Sequence, residues 1–198
     1  ALSFDLEGND NNKKLIEASE KALQKAQENF KEGESLSKIG SLIEKEIESQ
    51  GFSPIINLSG HEIKEYELHA GATVPNINDK KNVLIKKGLY AIEPFASTGS
   101  GKVHDGRPSG IYSLTNERNV RSPIAREILE YIIKEYKTLP FCSRWLVKIF
   151  GTKSLFGLKQ LEDNGNLHHY AQLVETEGSI VSQAENTILV DKEVTVTT

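Results

Sequence analysis

The spacing of hydrophobic positions changes along the chain, and each change predicts a different kind of element. Residues 2–6, LSFDL, alternate Leu2, Phe4 and Leu6 with Ser3 and Asp5, the period-two pattern of a half-buried strand. A strand this early needs a neighbour, which we expect an upstream segment or a partner chain to supply. EGNDNN breaks the run, and Asn11 or Asn12 is the expected cap of the next element. Leu15, Ala18, Ala22, Ala26 and Phe30 recur every three to four residues, so residues 12–30 read as an amphipathic helix, with Gly33 placed for a left-handed cap. Ser35 caps a second helix striped by Leu36, Ile39, Ile43 and Ile47, running to about residue 50. Two helices after a strand suggest an α/β layer.

From FSPIINLSG onward the pattern turns to short strands, carried by Ile55, Ile63, Tyr66, Leu68 and VLIKKGLYAIEPF. Within it INLSGHEIKEYELHAG places His61 and His69 eight residues apart, on one face of a single strand if the period of two holds throughout. Residues 99–110 are rich in Gly and turn-prone. Ser122-Pro123 is an N-cap followed by Pro at the first helical position, and Ile124, Ile128, Tyr131 and Ile132 mark a helix to about residue 136. LPFCSRWLVKIFG and TKSLFGLKQLEDNG predict two further short helices, ended by the Asn164-Gly165 turn. The last stretch returns to alternation, with Ile180, Ile188, Val190, Val194 and Val196 as inward positions.

Composition narrows the class. A chain of 198 residues fits one domain, or one domain with a sizeable insertion. No apolar run approaches a membrane span, and the first residues do not follow the secretory pattern, so the cytoplasm is the expected compartment. The single cysteine, Cys142, reads as a buried structural thiol. A formal charge of -4 argues against a general phosphate-binding surface. The absence of Met, with abundant Lys, Glu and Ile, suits a thermophile.

Two Gly-rich possibilities fail on spacing. STGSGK, residues 97–102, lacks the P-loop frame, because Val103 follows Lys102 and no helix opens there. Gly99-Ser100-Gly101 lacks the strand-to-helix elbow of a serine nucleophile. A scattered set carries more: His61 at the head of a strand, Glu93 in YAIEPF, and Glu185 in SQAENTILV. Carboxylates among hydrophobes are costly without a partner and ask for a cation. Imidazole with carboxylates is a donor set for Mn, Co, Fe or Zn. Each has a plain alternative: His61 as a turn residue, Glu93 as the partner of Lys86 or Lys87, Glu185 as a solvated strand residue.

NLSGHEIKEYELHAGATVPN, GLYAIEPFASTGSGKVHD, TLPFCSRWL and AENTILV, in this order, resemble the type 2 methionine aminopeptidases in their archaeal form. The resemblance implies the α/β pita-bread fold, here its C-terminal half at residues 1–109 and 171–198, with an inserted, winged-helix-like helical subdomain at 110–170. It implies two divalent metal ions (Co, Mn, Fe or Zn) held by two Asp, one His and two Glu, and removal of the initiator methionine from nascent peptides. By position, His61 matches the metal-binding imidazole, Glu93 the carboxylate that binds a metal and shuttles a proton, and Glu185 the carboxylate that bridges both ions. His69 matches the histidine that reaches the scissile carbonyl, and Tyr170 a pocket aromatic.

The two Asp ligands of the family lie upstream of Ala1, and Asp5 falls beyond the second of them, so Asp5 is not assigned. The expected partner is therefore the N-terminal half, in cis or in trans, with the ribosome as a further candidate. DNA is not expected, since Arg144, Lys148, Lys153 and Lys159 are spread among acids and aromatics rather than clustered. The competing reading is an inactive pita-bread interaction module of the proliferation-associated kind, binding ribosome or nucleic acid.

Overall fold

Helices α1, Asp10–Asn29, and α2, Leu36–Ser49, form where the three-to-four spacing predicts them. Leu15, Ala18, Ala22 and Ala26 are the buried stripe of α1, and Leu36, Ile39, Ile43 and Ile47 that of α2. The small alanines let the two axes approach, and Gly40 lets α2 approach the chain at Ile77, whose carbonyl oxygen a Cβ would meet at 2.1 Å. The computed structural model describes residues 1–198 and falls into two compact units, 1–104 with 174–198, and 105–173. After the helices come β1 (Ser53–Pro54), β2 (Ser59–Lys64), β3 (Glu67–Pro75), β4 (Gly88–Ile92) and β5 (Phe95–Ser97). Then follow β6 (His104–Leu114), α3 (Pro123–Glu135), β7 (Phe141–Cys142), α4 (Ser143–Phe150), α5 (Lys153–Asp163) and β8 (Leu167–Val174). The chain ends with β9 (Val181–Gln183), β10 (Asn186–Val190) and β11 (Val194–Val196).

The first unit carries a five-stranded sheet ordered β11-β10-β4-β2-β3 and a three-stranded sheet ordered β1-β5-β9. Val74, Tyr90, Ile92, Ile188 and Val190 join the helical stripes in one core, where Phe30 meets the Tyr90 ring edge-on at 5.3 Å. No helix is long and apolar enough to cross a membrane.

Several expectations are corrected in this unit. Residues 2–6 form no strand. Leu2, Phe4 and Leu6 are 64%, 79% and 96% exposed, so their alternation has no face to bury. The Asp5 carboxylate instead accepts from the Glu7 and Asn9 amides and bends the chain toward α1. The cap of α1 is Asn9, whose side chain accepts from the Asn11 amide at 2.9 Å, rather than Asn11 or Asn12. Gly33 has the expected positive φ of 82°, yet α1 ends earlier at Phe30, and the Gly33 amide donates to Ile85 O across the loop. Ile180, Val194 and Val196 are exposed, because they sit toward sheet edges, while Ile188 and Val190 on the inner strand are buried.

The 105–173 unit packs α3, α4 and α5 with the sheet β7-β6-β8. Ser122 is the N-cap of α3 with Pro123 following it, and Gly165 turns the chain after α5 with a φ of 73°. Its core gathers Tyr112, Ala125, Ile128, Ile132, Phe141, Leu146 and Leu158. His169 stacks on Tyr112 at 4.0 Å, accepts the Gly110 amide through Nε2, and faces Glu162 through Nδ1 at 3.3 Å. Cys142 is buried as expected, and the Arg144 Nε–H donates to its sulfur at 3.4 Å.

Gly157 in α5 offers a direct check of this packing. A Cβ there would lie 2.5 Å from Ile128 Cδ1, the free end of a flexible side chain. Ile128 can rotate away, and Ala gains about 1 kcal/mol of helix propensity over Gly. Gly157→Ala should therefore shift the unfolding free energy in a urea titration by less than about 1 kcal/mol. A loss near 3 kcal/mol, on the order of overpacking in a rigid core, would show that Ile128 cannot move.

Candidate metal centre

The two histidines come together by a route the sequence period does not describe. The run 59–75 is a hairpin of β2 and β3, turned at Tyr66 with a φ of 56°. His61 and His69 therefore lie on adjacent antiparallel strands rather than along one face of one strand. The register shifts twice in this pair, between His61 and Glu62 and between Glu62 and Lys64, and such bulges re-aim side chains. The result is an edge-to-face contact of the two rings at 4.5 Å. His69 remains solvent-exposed. Partial burial, and then the neighbouring His61 ring, hold its pKa below the ordinary histidine value, so the neutral ring is favoured at pH 7.

His61 is buried, and its place on β2 is fixed from both sides, paired with Thr73 of β3 and Ala91 of β4. Its Nδ1 lies 3.2 Å from the Glu62 carbonyl. With the proton on Nδ1, the Nε2 lone pair points toward Glu93 Oε1, 3.6 Å away. This is the tautomer arrangement of a metal-binding histidine, where a second hydrogen bond fixes the ring.

Glu93 follows the end of β4, and Glu185 precedes β10, the strand paired with β4. Antiparallel pairing of Asn186 with Ile92 thus brings the two carboxylates side by side. Gln183 joins them: its Nε2 donates to Glu93 Oε2 at 3.2 Å and to Glu185 Oε2 at 3.4 Å. Burial, and next the neighbouring Glu185 charge, push the Glu93 pKa up to about 7, against the pull of the Gln183 amide. Lys86 and Lys87 do not serve as partners of Glu93; Lys87 pairs with Asp191 at 3.0 Å. The side chain of Glu185 is 31% exposed. Gln183 had no sequence signature, because its contact with Glu93 spans 90 residues.

Two carboxylates and an imidazole nitrogen gather around the Gln183 amide, with the Ala1 ammonium 3.7 Å from Glu185 Oε2, and such a set is complementary to a cation. They fit one in donor type. They do not complete a sphere, since no three His, Cys, Asp or Glu side chains come close enough together to hold an ion by themselves. Tyr170 lies on β8 of the 105–173 unit, half-buried, where its hydroxyl contacts Ser113 Oγ at 3.1 Å.

Comparison with known proteins places the chain in a family. The description of metallopeptidase family M24 matches residues 3–191, and the chain belongs to that family. It is 44% identical over 188 residues to a methionine aminopeptidase of Pyrococcus horikoshii, covering 93% of this chain and 64% of the relative. A methionine aminopeptidase of Saccharolobus solfataricus is 42% identical, with 89% of this chain and 60% of the relative covered. The chain thus spans less than two thirds of the length of these relatives. Among solved structures, a thermophilic Arx1 matches with a TM-score of 0.74 at 18% identity, over 92% of this chain and 56% of that one. A methionine aminopeptidase of Thermotoga maritima matches with a TM-score of 0.57 at 21% identity, over 95% and 52%. These likenesses show the pita-bread fold.

Proposed function

We propose that this chain supplies the histidine and glutamate side of the active site of a type 2, archaeal-like methionine aminopeptidase, which removes the initiator methionine from nascent proteins in the cytoplasm. The observation that carries the reading is His61 Nε2 set 3.6 Å from a half-buried Glu93, with Glu185 beside it. Similarity to archaeal methionine aminopeptidases at 40–44% identity supports the substrate. Two divalent ions, Co, Mn, Fe or Zn, held by His61, Glu93 and Glu185 with two Asp from the N-terminal half, would supply Lewis-acid chemistry to the attacking water and the scissile carbonyl.

The remaining work falls to side chains. Glu93 is placed to take a proton from the attacking water and deliver it to the leaving amine. A neutral His69 keeps one ring N–H to donate to the carbonyl oxygen as charge develops there. The Glu62 carbonyl holds His61 in the tautomer that leaves Nε2 free. Gln183 spaces the two carboxylates. Tyr170 enters as a substrate contact through the resemblance alone, as does the winged-helix-like character of the insert.

The test combines the chain with an N-terminal half and Mn or Co, and follows release of Met from Met-Ala peptides. Cleavage is expected, and His61→Ala or Glu185→Ala should remove it. Absence of cleavage in the unsubstituted protein, or full activity in either variant, sinks the reading. Binding to ribosomal particles without metal uptake would favour the interaction module instead.

A further inference from the structure

The Gly-rich loop 98–103 is wired to every segment that carries a candidate ligand. It leaves β5 five residues after Glu93. On one side, Gly101 O accepts the Ile56 amide at 2.8 Å and Val103 is held by the Asn57 side chain at 2.7 and 3.0 Å, just ahead of His61. On the other, Thr98 exchanges hydrogen bonds with Ile180, both at 3.0 Å, ahead of Glu185.

One side chain satisfies the middle of this loop. Glu175 Oε1 accepts from Gly101 N at 2.6 Å, Ser100 Oγ at 3.1 Å and Lys102 N at 3.4 Å, while Oε2 accepts from its neighbour Thr176 N. Thr176 Oγ1 also donates to Ser100 Oγ at 3.3 Å. The fit leaves no spare room: a Cβ on Gly99 would lie 2.4 Å from Glu175 Oε2, and one on Gly101 2.5 Å from Pro54 O. The amide cradle that STGSGK offers is filled by the chain's own carboxylate, and a phosphate would find its donors taken.

We infer that Glu175 is a positioning residue, an internal anion that locks the Gly-rich loop and through it fixes the relative placement of His61, Glu93 and Glu185. Partial desolvation works against its charge, yet donors from Thr176, Gly101 and Ser100 hold the carboxyl at about 2, so the lock is ionised at neutral pH. No group at the candidate metal centre touches it, and its effect passes through the loop.

Two measurements on Glu175→Ala and Glu175→Gln decide this, with Glu177→Ala, an exposed neighbour, as control and circular dichroism to confirm folding. The first is amide hydrogen exchange. Glu175→Ala should speed exchange at 100–102 and also at 56–61, 91–97 and 183–187, Glu175→Gln less so, Glu177→Ala not at all, and formate should restore the Ala variant. The second, which rests on the proposed function, is Mn affinity by calorimetry. Glu175→Ala should weaken it about tenfold, the lower end for residues that orient ligands through others, with formate recovering the loss. Faster exchange confined to 100–102, or unchanged Mn affinity in a variant whose parent binds Mn through His61, overturns the inference. If the parent takes up no Mn, the metal reading fails and the exchange pattern alone decides the lock; should the Ala variant not fold, the same criteria apply to Glu175→Gln.

Discussion

Glu93→Gln should make the metal-free chain more stable at pH 8. The side chain of Glu93 is 15% exposed, and burial, with Glu185 beside it, raises its pKa from an ordinary 4.5 to about 7. Between those values the folded state holds a proton that the unfolded state has released. Stability from this group is therefore full below pH 4.5, falls as pH rises, and is gone above pH 7. The glutamine variant has no such loss. Urea titrations in chelator should show the two proteins equal near pH 4.5 and the variant ahead by up to about 3 kcal/mol at pH 8, the titration being shared with Glu185. Adding Mn should reverse the order, because only the parent keeps the proposed ligand and would gain stability by binding. Parallel pH curves without metal would falsify the account of Glu93. In the assembly proposed above, the same change should cut methionine release by about 10²–10⁴-fold, the scale of a lost general acid and base.

Gly60→Ala should unfold the region that presents His61. A Cβ at Gly60 would stand 2.2 Å from Ala91 O and 3.2 Å from Ile92 Cα, main-chain atoms of the neighbouring strand. Unlike Ile128 beside Gly157, these cannot rotate aside without breaking the β2–β4 pairing, in which His61 sits opposite Ala91. A cost of about 3 kcal/mol, the upper range of overpacking, is expected in urea unfolding, with loss of Mn uptake alongside it. A variant within about 0.5 kcal/mol of the parent, the scale of an ordinary surface change, would mean that the strands have room to spare.

The sequence by itself determined the helices and the family, and it singled out the candidate residues of the site. Leu15 to Ala26 and Leu36 to Ile47 repeat at the helical period and bury the faces that period defines, because a helix of this length has one stripe to hide. His61, Glu93 and Glu185 could be singled out because charge among hydrophobes is costly wherever it is placed. Alternation in residues 2–6 forms no strand within this chain, where only Ala1 and Ser3 bond to the main chain of Glu185 and Gln183 and the side chains of Leu2, Phe4 and Leu6 are exposed. Tertiary structure alone decided how the site is assembled. A hairpin with two register shifts, not one strand, brings His61 to His69. Gly60 matters for the closeness of β4, Gln183 for a carboxylate 90 residues away, and Glu175 for a loop 74 residues away. Those distances have no local period, and hydrogen bonds carry no pattern along the chain until folding has chosen their partners.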